Sequence, residues 1–241
     1  KIKIKKVLKG YKERDTISEV FVIKPFSLLL AFLSLRVFGK KKKLPYLLTL
    51  LSTLFNILGI FFIFYDFHLS PLFFFLFFIF DHADGVVSRI IFGKDPEIRG
   101  TLDFLTDKLA SISIFLIGYY LFLKGYTKEF ILMMVFLLIE VLYLSFQSTK
   151  FRLFSELKIT EKTKWKKFKI KGFLGKIWEL TGKIGIYPYT SESDGHFIIL
   201  VLLPLLPLSY SFFLILISIL FSIPVFLAVV YLVYSLLKMV N

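Results

Sequence analysis

The sequence predicts an all-α polytopic membrane protein, with six transmembrane helices preceded by an N-terminal interfacial amphipathic helix. Hydrophobic residues make up 57% of the chain and Phe alone fills 31 positions, above the ~45–50% apolar content of ordinary soluble domains. Mean hydropathy is +0.77. Apolar runs of about 20 residues, the length that crosses a hydrocarbon core of ~30 Å, recur along the chain between short polar turns. Cys is absent, which excludes a disulfide framework, a thiolate metal centre and a thiol nucleophile.

Residues 1–43 read as a basic arm and juxtamembrane helix, and residues 44–241 as a six-helix membrane domain carrying a basic loop at 149–195. Lys1 to Arg14 alternates cations with apolar residues and suits an anionic lipid surface, where each cation contributes about 1 kcal/mol. From Asp15 to Phe38 a broad apolar face is interrupted by Lys24 and Arg36, the pattern of a helix lying along the interface. Lys40 to Lys43 stand directly before the first span, which runs from Leu44 to about Tyr65. The second span is expected over Pro71–Arg89, the third over Leu102–Leu123 and the fourth over Phe130–Phe146. A fifth is expected from His196 to Leu208, and a sixth from Phe212 to Leu237 with a kink at Pro224.

Charge sets the expected topology. Thirteen Lys or Arg precede or include Lys43, and eleven lie between Lys150 and Lys183, whereas the turns near His68, Gly125 and Ser209 carry few. The positive-inside rule then places the arm, the long loop, both termini and the 92–100 turn in the cytoplasm, in a protein of the plasma membrane.

Against this apolar background stands Asp81-His-Ala-Asp84-Gly85-Val-Val-Ser88-Arg89, followed after a short loop by Asp103-Phe-Leu-Thr-Asp107. Ionisable groups at membrane depth are costly and default to a functional reading. On a helix Asp81, Asp84 and Ser88 fall at i, i+3 and i+7 with Gly85 beside them, and Asp103 and Asp107 at i and i+4. Two such faces turned together would make a box of carboxylates whose mutual repulsion a divalent cation relieves. An all-oxygen donor set favours Mg²⁺ or Mn²⁺ over zinc or copper, and acids holding metal at a membrane surface commonly serve a phosphate-bearing substrate.

These residues resemble the signature of the CDP-alcohol phosphotransferases, D-x-x-D-G-x-x-A-R, eight or nine residues, then G-x-x-x-D-x-x-x-D. Asp81, Asp84, Gly85, Arg89, Asp103 and Asp107 match it; Ser88 replaces Ala, and Arg99 occupies the register of the second Gly, with Gly100 after it. The resemblance implies transfer of a phosphatidyl-type group from a CDP-linked lipid to a small alcohol acceptor, with release of CMP. It implies two divalent ions, Mg²⁺ or Mn²⁺, on Asp81, Asp84 and Asp103, with Asp107 as general base and possible further ligand. Gly85, Ser88, Arg89 and Gly100 fall on the side of the CDP moiety. A homodimer is also common in the family. Serine, glycerol phosphate, inositol or inositol phosphate and choline-type alcohols are the acceptor classes; the basic segments lean toward a phosphorylated polyol.

Other motifs have plainer readings. Lys162 to Lys171, interleaved with Trp165 and Phe168, reads as an amphipathic segment on anionic lipid, with no nucleic acid as partner; Lys150 and Arg152 are candidates for an acceptor phosphate. Ser191 to His196 reads as a helix cap. His82 turns about 100° off the Asp81 face and is expected to pack. Two readings from other classes are a catalytically inactive scaffold, suggested by Arg99 in the glycine register, and a cation transporter, which would have no use for Gly85 and Arg89 at this spacing.

Overall fold

The computed structural model describes residues 18–93, 97–156 and 192–240, and every element among them is helical. A π-helical turn, Glu19–Ile23, runs into α1 (Lys24–Phe38). Then come α2 (Leu44–Tyr65), α3 (Ser70–Phe92), α4 (Glu97–Leu123) and α5 (Thr127–Glu156). The helix α6 (Glu192–Phe197) continues through a π-helical stretch, Ile198–Leu202, to a last turn, Leu203–Leu205, before α7 (Ser211–Val240). The amino-terminal arm to residue 17 and the basic segment 157–191 lie outside the described residues.

Expected spans and observed helices coincide at α2 and differ at some ends elsewhere. The third span begins at Glu97 rather than Leu102 and the fourth continues to Glu156, because a helix need not stop where an apolar run does. The 149–195 loop is shortened accordingly at both ends. Pro224 falls inside an uninterrupted α7. Among the described residues, four stretches are long and apolar enough to cross a membrane: Glu19–Phe38, Leu44–Tyr65, Ser70–Phe92 and Thr127–Phe146. The chain is an integral membrane protein.

The first of these, expected along the interface, is also of spanning length, and its polarity is arranged in one stripe. Its polar residues Glu19, Ser27 and Ser34 fall with Ile23, Ala31 and Leu35 on one buried stripe. Phe21, Phe26, Leu29, Leu33 and Val37 are exposed. Polarity therefore turns inward and the outer face is apolar, the inverse of a soluble helix.

Helix packing without water relies on close fit and buried hydrogen bonds. Helices α2 and α3 make the most extensive contact. Gly59 of α2 lies so close to Phe74 of α3 that a β-carbon there would sit 2.6 Å from the ring. The main core gathers Ile63, Phe74, Phe77, Ile114, Phe136, Ile199 and Ile215 from across the bundle. A second cluster joins Ala31 and Leu35 of α1, Leu44 and Leu48 of α2, and Ala83, Val86 and Val87 of α3. The acidic motif is thus wrapped by the helices before it.

Candidate active site

The whole stretch Asp81–Arg89 lies on α3. Asp84, Gly85 and Ser88 are buried, Asp84 and Ser88 completely, while Asp81 and Arg89 are partly exposed. The side chains of Asp103 and Asp107 lie outside the described ones; their backbone is helical, on α4, and Gly100 sits in the first turn of that helix. Gly93 ends α3 at φ +80, a left-handed conformation that side-chain-bearing residues rarely adopt.

Helix α2 packs against both helices that carry the motif. It carries a polar stripe, Thr49, Ser52 and Asn56, at i, i+3 and i+7, all buried. The Thr49 hydroxyl donates to Asp84 Oδ2 in a short hydrogen bond. Ser52 Oγ donates to the Phe77 carbonyl at 3.3 Å, and Ser113 Oγ on α4 donates to Asn56 Oδ1 at 2.7 Å. As numbers rise on α2 their partners fall on α3, from Asp84 through Phe77 to Phe74, so the two run antiparallel. Helix α4 packs against α2 as well. Thr49 lies seven residues before Asn56, and seven before Ser113 comes Thr106, which is buried.

A second polar group lies deeper. Ser111, four residues after Asp107, donates to Glu140 Oε1 on α5 in a short hydrogen bond, and Glu140 Oε2 is 3.2 Å from His196 Nε2 on α6. Glu140 is buried, and the Phe136 ring meets His196 edge-on at 5.9 Å. Asp194 does serve as a cap, but for another helix: its Oδ1 accepts the Ser18 amide at 2.7 Å and the Ser18 hydroxyl at 2.6 Å. His82 is more than packing, because Nε2 lies 3.1 Å from Glu19 Oε1 and Nδ1 lies 3.0 Å from the Phe78 carbonyl.

Sequence reasoning missed Thr49 as a partner of the acids, and Glu19 and Glu140 altogether. The signal for Thr49 was present: three polar residues at helical spacing in an otherwise apolar span. Lys150, Arg152 and the Lys162–Lys171 segment have no described side chains.

A family model described as CDP-alcohol phosphatidyltransferase matches residues 42–234. The chain belongs to that family. No curated protein matches it significantly in sequence. The matched region of this CDP-alcohol phosphatidyltransferase family member takes in α2 to α5, both halves of the acidic motif and most of α7. The helix that carries Ser18 and Glu19 lies before it. Membership supports phosphatidyl transfer from a CDP-alcohol to an alcohol within a membrane.

Proposed function

We propose that this protein is an active, metal-dependent transferase whose site is built from Asp81, Asp84, Asp103 and Asp107. The observation that supports the reading is that α2 is hydrogen-bonded to both helices of the motif, through Thr49 to Asp84 of α3 and through Asn56 to Ser113 of α4. The donor set fits a divalent cation: Asp84 is a fully buried carboxylate steadied by Thr49, and carboxylate oxygens suit Mg²⁺ or Mn²⁺. Asp81, Asp84 and Asp103 would hold two such ions, with Asp107 alongside. When bound, the ions supply neutralisation of the pyrophosphate oxygens and of the charge on the departing CMP.

The chain's own residues do the rest. Asp107 takes the proton from the acceptor hydroxyl. The alcohol oxygen forms a bond to the lipid-side phosphorus, and the bond from that phosphorus to the bridging oxygen breaks, releasing CMP with both electrons. Gly85 leaves room for the nucleotide to approach the helix backbone. Arg89 offers a guanidinium fork suited to phosphate. Ser88 Oγ is fully buried and has no hydrogen-bond partner among the described residues, a donor left for the nucleotide. Gly100 lies on the same side.

Six spans, namely α2 to α5, the helical run 192–205 and α7, with the Glu19–Phe38 helix at the interface, would put both termini and the site on the cytoplasmic side of the plasma membrane, where activated lipid is made available. A homodimer is proposed on the family resemblance alone. The acceptor is a polyol phosphate such as inositol phosphate or glycerol phosphate, or serine; Ser111, bonded to Glu140 with His196 behind it, lies one helical turn after Asp107 in α4.

Purified protein in detergent, given CDP-diacylglycerol, Mn²⁺ or Mg²⁺ and a panel of these alcohols, is expected to release CMP with one of them. Asp107→Asn and Asp84→Asn are each expected to reduce release at least a hundredfold. Absence of both CMP release and CDP-lipid binding would make the inactive scaffold the better reading.

A further inference from the structure

We infer that the turn between α1 and α2 is a cationic rim at the Arg89 end of the acidic motif, where Arg36, Lys41, Lys42 and Lys43 draw in the anionic headgroup of the CDP-linked lipid. The inference rests on the transferase reading proposed above. All four side chains are exposed. No Asp or Glu occurs from residue 24 to residue 65, and among the described residues no carboxylate pairs with Lys41, Lys42 or Lys43. Cations left unneutralised in one short turn add their fields, and such a field concentrates an anionic substrate. The turn is also fixed at both ends. Gly39, at φ +70, ends α1 with its amide donating to the Leu35 carbonyl at 3.1 Å, and the Leu44 amide donates to the Lys41 carbonyl at 3.0 Å.

Its place follows from the register of α2 on α3. Thr49 meets Asp84 and Ser52 meets the Phe77 carbonyl, so residues before Thr49 lie beside those after Asp84. Packing agrees, for Leu44 and Leu48 share a cluster with Val86 and Val87, against which Ile90 and Ile91 also pack. The lysines thus stand at the end of the helix pair that carries Arg89. Apolar side chains border the turn on either side, with Val37, Phe38, Leu47 and Leu50 all exposed. Cations beside an apolar margin suit a molecule with a charged head and hydrocarbon tails, whereas a soluble anion would have no use for the margin. The pyrophosphate of the donor carries a second negative charge that an ordinary phosphodiester headgroup lacks, so the field favours the donor over bulk lipid.

The test is binding of radiolabelled CDP-diacylglycerol to the full chain in nanodiscs of neutral phosphatidylcholine, with Mn²⁺ and no acceptor alcohol. The donor is then the sole anionic lipid. Lys41→Ser/Lys42→Ser/Lys43→Ser is expected to weaken binding about tenfold at low salt, the lower end of what a field of one sign contributes. Lys41→Arg/Lys42→Arg/Lys43→Arg, which keeps the charge, is expected to bind within about twofold of the parent. In about 1 M salt, where charges are screened beyond ~3 Å, parent and serine variant are expected to converge. Lys124→Ser/Lys128→Ser, which removes exposed cations at the α4–α5 junction, is expected to leave binding unchanged. If the triple serine variant does not fold, Lys41→Ser/Lys42→Ser decides, with an expected loss of about threefold; no loss overturns the inference. Unchanged binding in the serine variant would also overturn it, as would a loss that persists at high salt, failure of the arginine variant to recover, or an equal loss in Lys124→Ser/Lys128→Ser. A loss seen only when phosphatidylglycerol is added to the bilayer would give the rim to bulk lipid and overturn the inference likewise. A parent protein that binds no CDP-diacylglycerol would overturn the transferase reading itself, an outcome separate from these.

Discussion

Thr49 is the smallest part of the proposed site, and it reaches that site through its hydrogen bond to Asp84. Asp84 is completely buried, and a buried carboxylate without donors is strongly destabilising; the Thr49 hydroxyl supplies one. Replacing it with Val keeps the shape and removes the donor. Thr49→Val is expected to lower the CMP-release rate about tenfold and stability by about 1–3 kcal/mol, whereas Thr49→Ser should retain most of both. Rate assays beside thermal unfolding in detergent check this, and a Val variant as active as the parent would separate Thr49 from the site. The acids themselves were legible in the sequence, since Asp81, Asp84, Asp103 and Asp107 break an apolar background at helical spacing. Thr49 was not. A Thr in an apolar helix commonly bonds back to its own helix, as Thr53 does to the Thr49 carbonyl, and Thr49 also lies 3.1 Å from the Pro45 carbonyl. Sequence cannot tell which acceptor a hydroxyl serves when one lies across a helix pair.

At the scale of elements, the register of α2 against α3 depends on Gly59. The Phe74 ring is fully buried, so the β-carbon of Gly59→Ala has nowhere to displace it. That substitution is expected to destabilise the fold by about 1–3 kcal/mol and to slow CMP release through the shared helix pair, while Gly59→Ala/Phe74→Leu should recover part of both. Thermal unfolding of the three proteins measures the effect; equal midpoints would show that the pair has slack. Helix existence was readable here, helix character less so. The span at α2 emerged with its expected ends because Pro45 and the Asp66–His68 turn bound it. The π-helical stretch at Ile198–Leu202 has no sequence signature of its own, for the wider turn answers to what packs around it. Likewise the polar residues of Glu19–Phe38 looked like interruptions in one dimension and proved to be a single buried stripe in three.

For the whole molecule the open quantity is parity. If the Glu19–Phe38 helix lies at the interface, the amino terminus shares a side with the acidic motif; if it crosses, the two are on opposite sides. The chain has no Cys, so single introduced thiols report cleanly. Lys9→Cys and Lys41→Cys are both expected to react with an impermeant maleimide only when the cytoplasmic face is opened, and Lys124→Cys from outside. Labelling of Lys9→Cys from outside would make the helix a seventh span. Charge counts could predict the side of a loop, but not whether an apolar helix of spanning length lies flat, because both arrangements bury the same outer face in lipid.

The wrapping of the acidic motif by earlier helices also bears on how the protein is made. Of the side chains that meet the motif, Thr49 precedes Asp84 in the chain and Glu19 precedes His82. Translation runs from the amino terminus, so when α3 leaves the ribosome these partners for its least lipid-compatible residues have already been synthesised. Glu140 is placed differently, for Ser111 comes before it but His196 follows 56 residues later. Biogenesis thus divides into an early half, in which α3 enters with its partners at hand, and a late half, in which α5 carries a carboxylate whose second partner is still to be made.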